Sequence, residues 1–565
     1  MQRVTLVRTP APSPVEYGEV FTRRWVVEVM LDLAGYTSDR DLAELRLVEP
    51  ACGAGAFLLP AVERLLASIA ATGRSVDEGL KTAIAAFDLQ PQHVAHCREA
   101  IFALLQDRGV SREVSVVLAR HWVRASDYLL SAQAGADLIN PGVQPDVDVV
   151  IGNPPYIRIE EMDDEVSAQY RSRWPTMSGR ADIYVGFYER ALRSLKPGGR
   201  LAFICADRWM RNQYGASLRQ LVARDYSVDV VWTMHDVDAF ESAVSAYPAV
   251  TVLSRREQGR AVVAEATSQF TAASARELAT WTAGSETAAE GVGYRAFRLP
   301  HWFSGDEMWP SGSPARVALI EHLNDNFGPL HDPHTGTRVG IGVATGADKV
   351  YVVKEGDSDA AAVEQDRLLR LAMVSDTRSG TFQWGGRYLV NPWAPDGTLV
   401  DLDKYSGLAG YFEKHRDQLV KRHTAKANPS SWHRTIDKVN HSLIHQQKLL
   451  IQDMRTSINP VLENQGCYPH HNLYFVVSEK WDLEVLGGLL LSRLAQAFIE
   501  AYSVRMRGNT LRFQSQYLKK IRVPNPDDVG DETKEALKIA FRARDVEAAT
   551  VAALTAYKLT PDDLE

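Results

Sequence analysis

An α/β fold with a doubly wound, Rossmann-like sheet in the first half of the chain, followed by a separate α+β domain, is what this sequence predicts. Three observations carry it. Short apolar runs rich in β-branched residues, such as 147–151 and 228–232, stop abruptly at glycine, proline or polar turns. Between them lie stretches with apolar residues at helical spacing, as in Trp25, Val26, Val29, Met30 and Leu33. The two patterns alternate up to about residue 255, which is how helices covering both faces of a mostly parallel sheet read in sequence.

Taken in order, Glu16-Tyr17-Gly18-Glu19-Val20-Phe21-Thr22 precedes the first helical stripe, with Thr22 placed as its N-cap. Residues 45–48 form a short strand. Glu49-Pro50-Ala51-Cys52-Gly53-Ala54-Gly55-Ala56-Phe57 then makes a glycine-rich turn into a helix, where backbone can come close to a ligand. Pro60 fits because it falls in the first helical turn. A second strand at 82–87 ends in Asp88, some thirty residues further on, where a carboxylate can accept from ribose hydroxyls or cap the next helix. Ser126-Asp127 closes another strand–helix unit and can meet an adenine amino group. The turn Lys196-Pro197-Gly198-Gly199 leads into a strand at 200–204, and 228–232 and 249–253 are the closing strands, with Phe240 and Tyr247 on the loop between them.

The central stretch is Asp148-Val149-Val150-Ile151-Gly152-Asn153-Pro154-Pro155-Tyr156, a buried strand running into an amide, two prolines and a ring. The prolines lack N–H donors and fix φ, so the loop's carbonyls are available to a ligand. The Asn153 side-chain oxygen and the Pro154 carbonyl can accept the two protons of a planar NH2 group, while Tyr156 offers a face to a heteroaromatic ring. Two acceptors drawing on an aromatic amine push its nitrogen toward a tetrahedral form and free its lone pair.

With 565 residues, 45% hydrophobic and 24% charged, the chain reads as soluble, globular and of two to four domains. No apolar run reaches membrane-spanning length, and residues 1–14 lack the order of a signal peptide, so a cytoplasmic protein with no membrane partner is expected. Four scattered cysteines imply free thiols. No metal is expected: His441 and His445 have ligand spacing, but no acidic or cysteine partner lies near them in sequence.

The net charge of −8 argues against a generally adhesive nucleic-acid binder. Two local surpluses stand against it. Residues 414–455 hold nine Lys/Arg and three Asp/Glu, and residues 505–522 hold six and none. These segments are expected to line one DNA-binding face through Lys421, Arg422, Trp432, Arg434, Lys438, Arg505, Arg507, Asn509, Arg512 and Gln514. Between the halves, 256–300 is weakly periodic and reads as a boundary. The expected domains are thus 1–255, 301–530, and a helical tail at 531–565.

Together these motifs resemble the series found in S-adenosylmethionine-dependent amino-group DNA methyltransferases. Their order, with the cofactor loop before the catalytic loop and a large domain after both, resembles the γ-class adenine-N6 enzymes of restriction-modification systems, of the Taq type. The resemblance implies that Tyr17, Thr22, Glu49, Ala51, Cys52, Gly53, Gly55, Asp88, Asp127 and Asn153 hold S-adenosylmethionine. It further implies that Asn153, Pro154, Pro155 and Tyr156 form the catalytic loop, and that Tyr156 and Phe240 stack on a base flipped from double-stranded DNA. A cognate restriction endonuclease is an implied partner. Methyltransferases of protein glutamine or RNA share such a loop but usually lack a basic C-terminal domain. The intact loop argues against a non-catalytic DNA-binding subunit. With the cofactor loop standing at the start, no fused N-terminal nuclease is expected.

Overall fold

Two units make up the chain, Met1–Trp309 and Pro310–Glu565. The structure, a computed structural model, describes residues 20–131, 146–242, 247–358, 360–503, 505–506 and 510–564.

In the first unit, α1 (Arg24–Leu33) is followed by β1 (Leu47–Glu49), α2 (Leu58–Thr72), β2 (Ile84–Asp88), α3 (Pro91–Asp107), α4 (Arg112–Trp122) and β3 (Val123–Ala125). After β4 (Val147–Gly152) come α5 (Asp164–Arg173), α6 (Tyr184–Ser194), β5 (Leu195–Ala206), α7 (Arg208–Arg211), α8 (Ala216–Asp225), β6 (Ser227–Thr233) and β7 (Pro248–Ser254). The unit ends with β8 (Ala261–Ala266), α9 (Ala272–Ala283), β9 (Ala288–Gly291) and β10 (Tyr294–Leu299). All ten strands join one sheet in the order β3-β2-β1-β4-β5-β7-β6-β8-β10-β9. Strands β3 to β5 are parallel, and β7 lies antiparallel between β5 and β6.

The chain winds outward from β1 to the β3 edge, then returns to place β4 beside β1 and winds the other way. A crevice opens where the direction reverses, beyond the carboxyl ends of β1 and β4, and both singled-out loops leave the sheet there. Strand β4 is buried along nearly its whole length, as its β-branched run requires. Its one carboxylate is accounted for: Asp148 accepts from the Arg46 N–H at 3.0 Å and pairs with Lys196. In β5 the register shifts between the pairs Val147–Leu195 and Val149–Arg200, so the expected turn survives as an irregularity within the strand. Gly198 takes φ +79° there, and a Cβ on Gly199 would come within 2.8 Å of the Val147 carbonyl oxygen.

Three expectations are corrected. Residues 256–300 are not a linker, because β8, β9 and β10 extend the sheet and α9 packs on it; the short Ala-rich runs of β8 and β9 carry little periodicity to read. The division falls after Trp309 instead. Thr22 is not the N-cap of α1; the helix begins one residue later, so Arg23 holds that position with no side-chain hydrogen bond, and the Thr22 hydroxyl accepts from Asn153.

The second unit is α+β, as expected. One four-stranded sheet joins Arg338–Ile341, Leu473–Val477, Lys448–Gln452 and Val461–Glu463, and another joins Val352–Lys354, Arg387–Val390, Leu368–Ala372 and Tyr468–Pro469. The helical stretch expected at 481–502 is two helices, Leu483–Leu491 and Arg493–Tyr502, broken at Ser492, whose hydroxyl caps the second. The region 531–564 is mostly helical, yet it is no tail. Asp531–Ala543 and Val546–Tyr557 pack on Leu483–Leu491, where Gly487 and Gly488 let Phe541 and the Leu537 backbone approach closely. All four cysteines are buried free thiols.

Candidate active site

At the sheet's reversal point lies a cavity of about 360 Å³. Its lining brings together Thr22, Glu49, Ala51, Cys52, Gly53, Asp88, Asp127, Asn153 and Pro155, contributed by five separate stretches of chain. Gly55 is not part of the wall. It turns the loop behind it at φ +91°, where a Cβ would meet Leu59 at 3.1 Å and Cys97 at 3.3 Å; Gly53, at φ +49°, faces the Phe21 ring. Tyr17 lies outside the described residues.

Asn153 sits just past the end of β4, and its side chain is oriented by the N-terminal loop. Its amide NH2 donates to the Val20 carbonyl at 3.0 Å and to the Thr22 hydroxyl at 3.3 Å. Since the Val20 carbonyl can only accept, this fixes which way the amide points. Its Oδ1 is buried and, among the described residues, has no hydrogen-bond partner. Thr22 is itself held by a backbone bridge to Phe240, flanked by Arg23 N–H to Ala239 O and Glu241 N–H to Phe21 O, both 2.9 Å.

The carboxylates of the cavity differ in what they already hold. Asp88 accepts from the Gly53 N–H at 2.9 Å and the Gln90 N–H at 2.8 Å, so it ties the glycine loop to β2 and closes the turn before α3 without capping that helix, with a lone pair left on each oxygen. Asp127 accepts from the Leu129 N–H at 2.7 Å and from the Tyr170 hydroxyl at 2.7 Å, the latter reaching over from α5. Burial and this bond push the Tyr170 hydroxyl up. Glu49 is 1% exposed, and its Oε2 has no partner among the described residues. Burial, with Cys97 and Asp88 adding to it, pushes its carboxyl well above the usual carboxylate range.

Sequence reasoning missed part of the wall. Tyr170, Met162 and Val166 come from the segment after the central loop, which carries no motif, and Leu89 and Gln90 follow Asp88 directly. Leu89 is a large apolar side chain left 57% exposed, a signal only structure can give. Among the residues expected to stack on a base, Tyr156 is half-buried with its hydroxyl 3.4 Å from the Ile204 carbonyl, and Phe240 is buried in the core; neither lines this cavity. Tyr247, the other aromatic of that loop, packs edge-on against His235.

In the second unit the expected DNA-facing residues divide. Lys421 and Lys438 are exposed. Arg422 is corrected to a structural role: its guanidinium donates to the carbonyls of Leu419, Thr345 and Trp432 and to the Tyr351 hydroxyl. Arg434 donates to the Thr435 and Ile436 carbonyls, and Trp432 is covered on one side by Arg416, 4.6 Å from its ring centre. Arg512 pairs with Asp453 at 2.6 Å, and Gln514 accepts from Gln516 at 3.0 Å. Nor do the basic segments line one face throughout, since Lys448 is fully buried against Glu463 at 2.6 Å. Arg507 and Asn509, and the side chain of Arg505, lie outside the described residues. No helix among the described residues is long and apolar enough to cross a membrane.

Comparison with known proteins places this architecture among relatives. The Eco57I restriction-modification methylase family matches residues 120–240. The chain is 41% identical to the Type II methyltransferase M.PaeR7I of Pseudomonas aeruginosa, over 97% of this chain and 92% of that one. It is 39% identical to the Type II methyltransferase M.XhoI of Xanthomonas vasicola, over 97% and 98%. Among solved structures, the Type IIL restriction-modification enzyme MmeI in complex with DNA shares the fold with a TM-score of 0.61 at 11% identity, over 95% of this chain and 74% of that one.

Proposed function

The chain belongs to the Type II methyltransferases of restriction-modification systems, and from that premise we propose that it methylates the N6 amino group of an adenine flipped out of double-stranded DNA, with S-adenosylmethionine as donor. One observation carries the reading. The Asn153 Oδ1 is a buried acceptor without a partner among the described residues, held in place by an amide whose two hydrogens are already committed, at the rim of a cavity lined with carboxylates. An acceptor left unsatisfied in a folded protein is costly unless a ligand meets it.

The residues present fit the donor. Glu49, with its partnerless oxygen, suits the ammonium of the methionine part; Asp88 has lone pairs for ribose hydroxyls; Leu89 and Met162 supply apolar surface for adenine. When bound, S-adenosylmethionine supplies a methyl group on a cationic sulfur. The protein's own part is positioning. Asn153 Oδ1 and the Pro154 carbonyl accept the two amine hydrogens, drawing the nitrogen lone pair out of the ring, and Tyr156 stacks on the base. Asparagine in the first loop position supports adenine over cytosine, through its resemblance to the adenine-N6 enzymes. The finer context is part of the same proposal: a cytoplasmic enzyme acting on host DNA, alongside a restriction endonuclease of the same site.

Asn153→Ala tests it. Cofactor and DNA binding should persist, while methyl transfer should fall by about 100-fold or more, the cost of one transition-state hydrogen-bond partner. Nucleoside analysis of DNA from cells expressing the parent should show N6-methyladenine. Methylation by the variant within about threefold of the parent, or N4-methylcytosine as the product, would remove this reading.

A further inference from the structure

Apart from the methylation site, the second unit brings together Asp348, His470 and His471, each offering one ligand atom, all three within 4.8 Å of one another. We propose that they bind a divalent transition-metal ion of the zinc type, which pins the glycine-punctuated loop before Asp348 to the core of the unit.

The two histidines are fixed by backbone on both sides. They follow the short strand Tyr468–Pro469, which pairs with Leu368–Ala372; the His470 N–H donates to the Ala372 carbonyl at 3.0 Å and the His471 N–H to the Val343 carbonyl at 3.1 Å. Their ring centres are 4.1 Å apart, close enough for one ion to reach both. Asp348 opens the short helix Asp348–Tyr351 directly after the loop, and the Thr345 hydroxyl donates to its Oδ1, the kind of outer contact that orients a metal-binding carboxylate.

An ordinary hydrogen-bonded pair does not account for the arrangement. His470 Nε2 lies 3.1 Å from Asp348 Oδ2, but the Nδ1 of His470 and the Nδ1 of His471 are buried and, among the described residues, without partners. His470 is 2% exposed, so water does not compensate it freely. Asp348 is 46% exposed and gives an ion a way in. Two imidazoles and one carboxylate favour zinc, cobalt or nickel over magnesium or calcium, which prefer oxygen ligands alone. Asp348 is 122 positions from His470, so no sequence spacing announces the cluster.

The test uses the full-length protein, stripped with chelator and titrated with zinc chloride by calorimetry and with cobalt chloride by visible absorption. The proposal expects one ion per chain, a cobalt spectrum with nitrogen-ligand bands, and a zinc-dependent rise in Tm. Asp348→Asn and His471→Ala should each weaken binding at least tenfold and remove the Tm rise. Should His471→Ala fail to fold, Asp348→Asn at its exposed position decides. No uptake by the stripped parent, or equal affinity in Asp348→Asn, overturns the proposal.

Discussion

Asn153 and Glu49 show how a single side chain can be held ready at a cost to the protein that holds it. The Asn153 oxygen is aimed by two hydrogen bonds on the other end of the same amide, so orientation is fixed before any ligand arrives. Glu49 stores a different cost. Its native carboxyl keeps its proton to higher pH than the unfolded chain, whose value is near 4.5. Stability of the ligand-free protein is therefore complete below that value and is lost as pH rises toward the raised native one. Glu49→Gln removes this penalty and with it the charge for a cationic ligand. The variant should melt higher than the parent at pH 8 but not at pH 4, and should bind S-adenosylmethionine at least about tenfold more weakly, the scale of one missing hydrogen bond to a charged group. Parallel melting at both pH values would show that Glu49 is ionised at no cost.

At the scale of elements, local rules and tertiary demands compete. The start of α1 has Arg23 at its cap position and no side-chain cap, while the neighbouring Thr22 serves Asn153 and the bridge to Phe240, so the segment before the helix is organised around the site. The second unit shows the opposite case, where Gly487 and Gly488 weaken a helix so that others can approach. A Cβ on Gly488 would lie 2.5 Å from the Leu537 carbonyl oxygen, backbone that cannot step aside alone. Gly488→Ala, favourable for an isolated helix, should destabilise this unit by about 1–3 kcal/mol through overpacking. Chemical denaturation measures the difference, and an unchanged or raised midpoint would mean that the three helices pack less tightly than this distance requires.

For the whole molecule, an acidic chain must approach a polyanion, and the sum of its charges says little about where it does so. The basic stretch 414–455 reads as uniform in sequence, yet Lys448 is engaged in the core and Arg422 on backbone carbonyls, while Lys421 and Lys438 remain exposed. These roles separate experimentally. Replacing Lys421 and Lys438 by Ala should weaken DNA binding and flatten its dependence on salt by up to ~0.9 log unit for each phosphate no longer neutralised, with Tm unchanged. Arg422→Ala should lower Tm instead. A salt slope unmoved by the lysine pair would put the DNA-binding surface elsewhere.

The sequence by itself determined the wound sheet and the loops at its reversal point. Strand periodicity, glycine turns and the Asn153-Pro154-Pro155-Tyr156 element are local patterns, and local chemistry suffices to read them. It also pointed to the parts of the cavity wall that follow β1, β2, β3 and β4, because the carboxyl ends of those strands converge by topology. Tertiary structure alone decided which end of the Asn153 amide is free, which cations are engaged in the core, that 256–300 belongs to the sheet, and that Asp348 meets His470 and His471. Each of these depends on contacts between residues far apart in the chain, where burial and partner choice set the outcome and no spacing in the sequence records them.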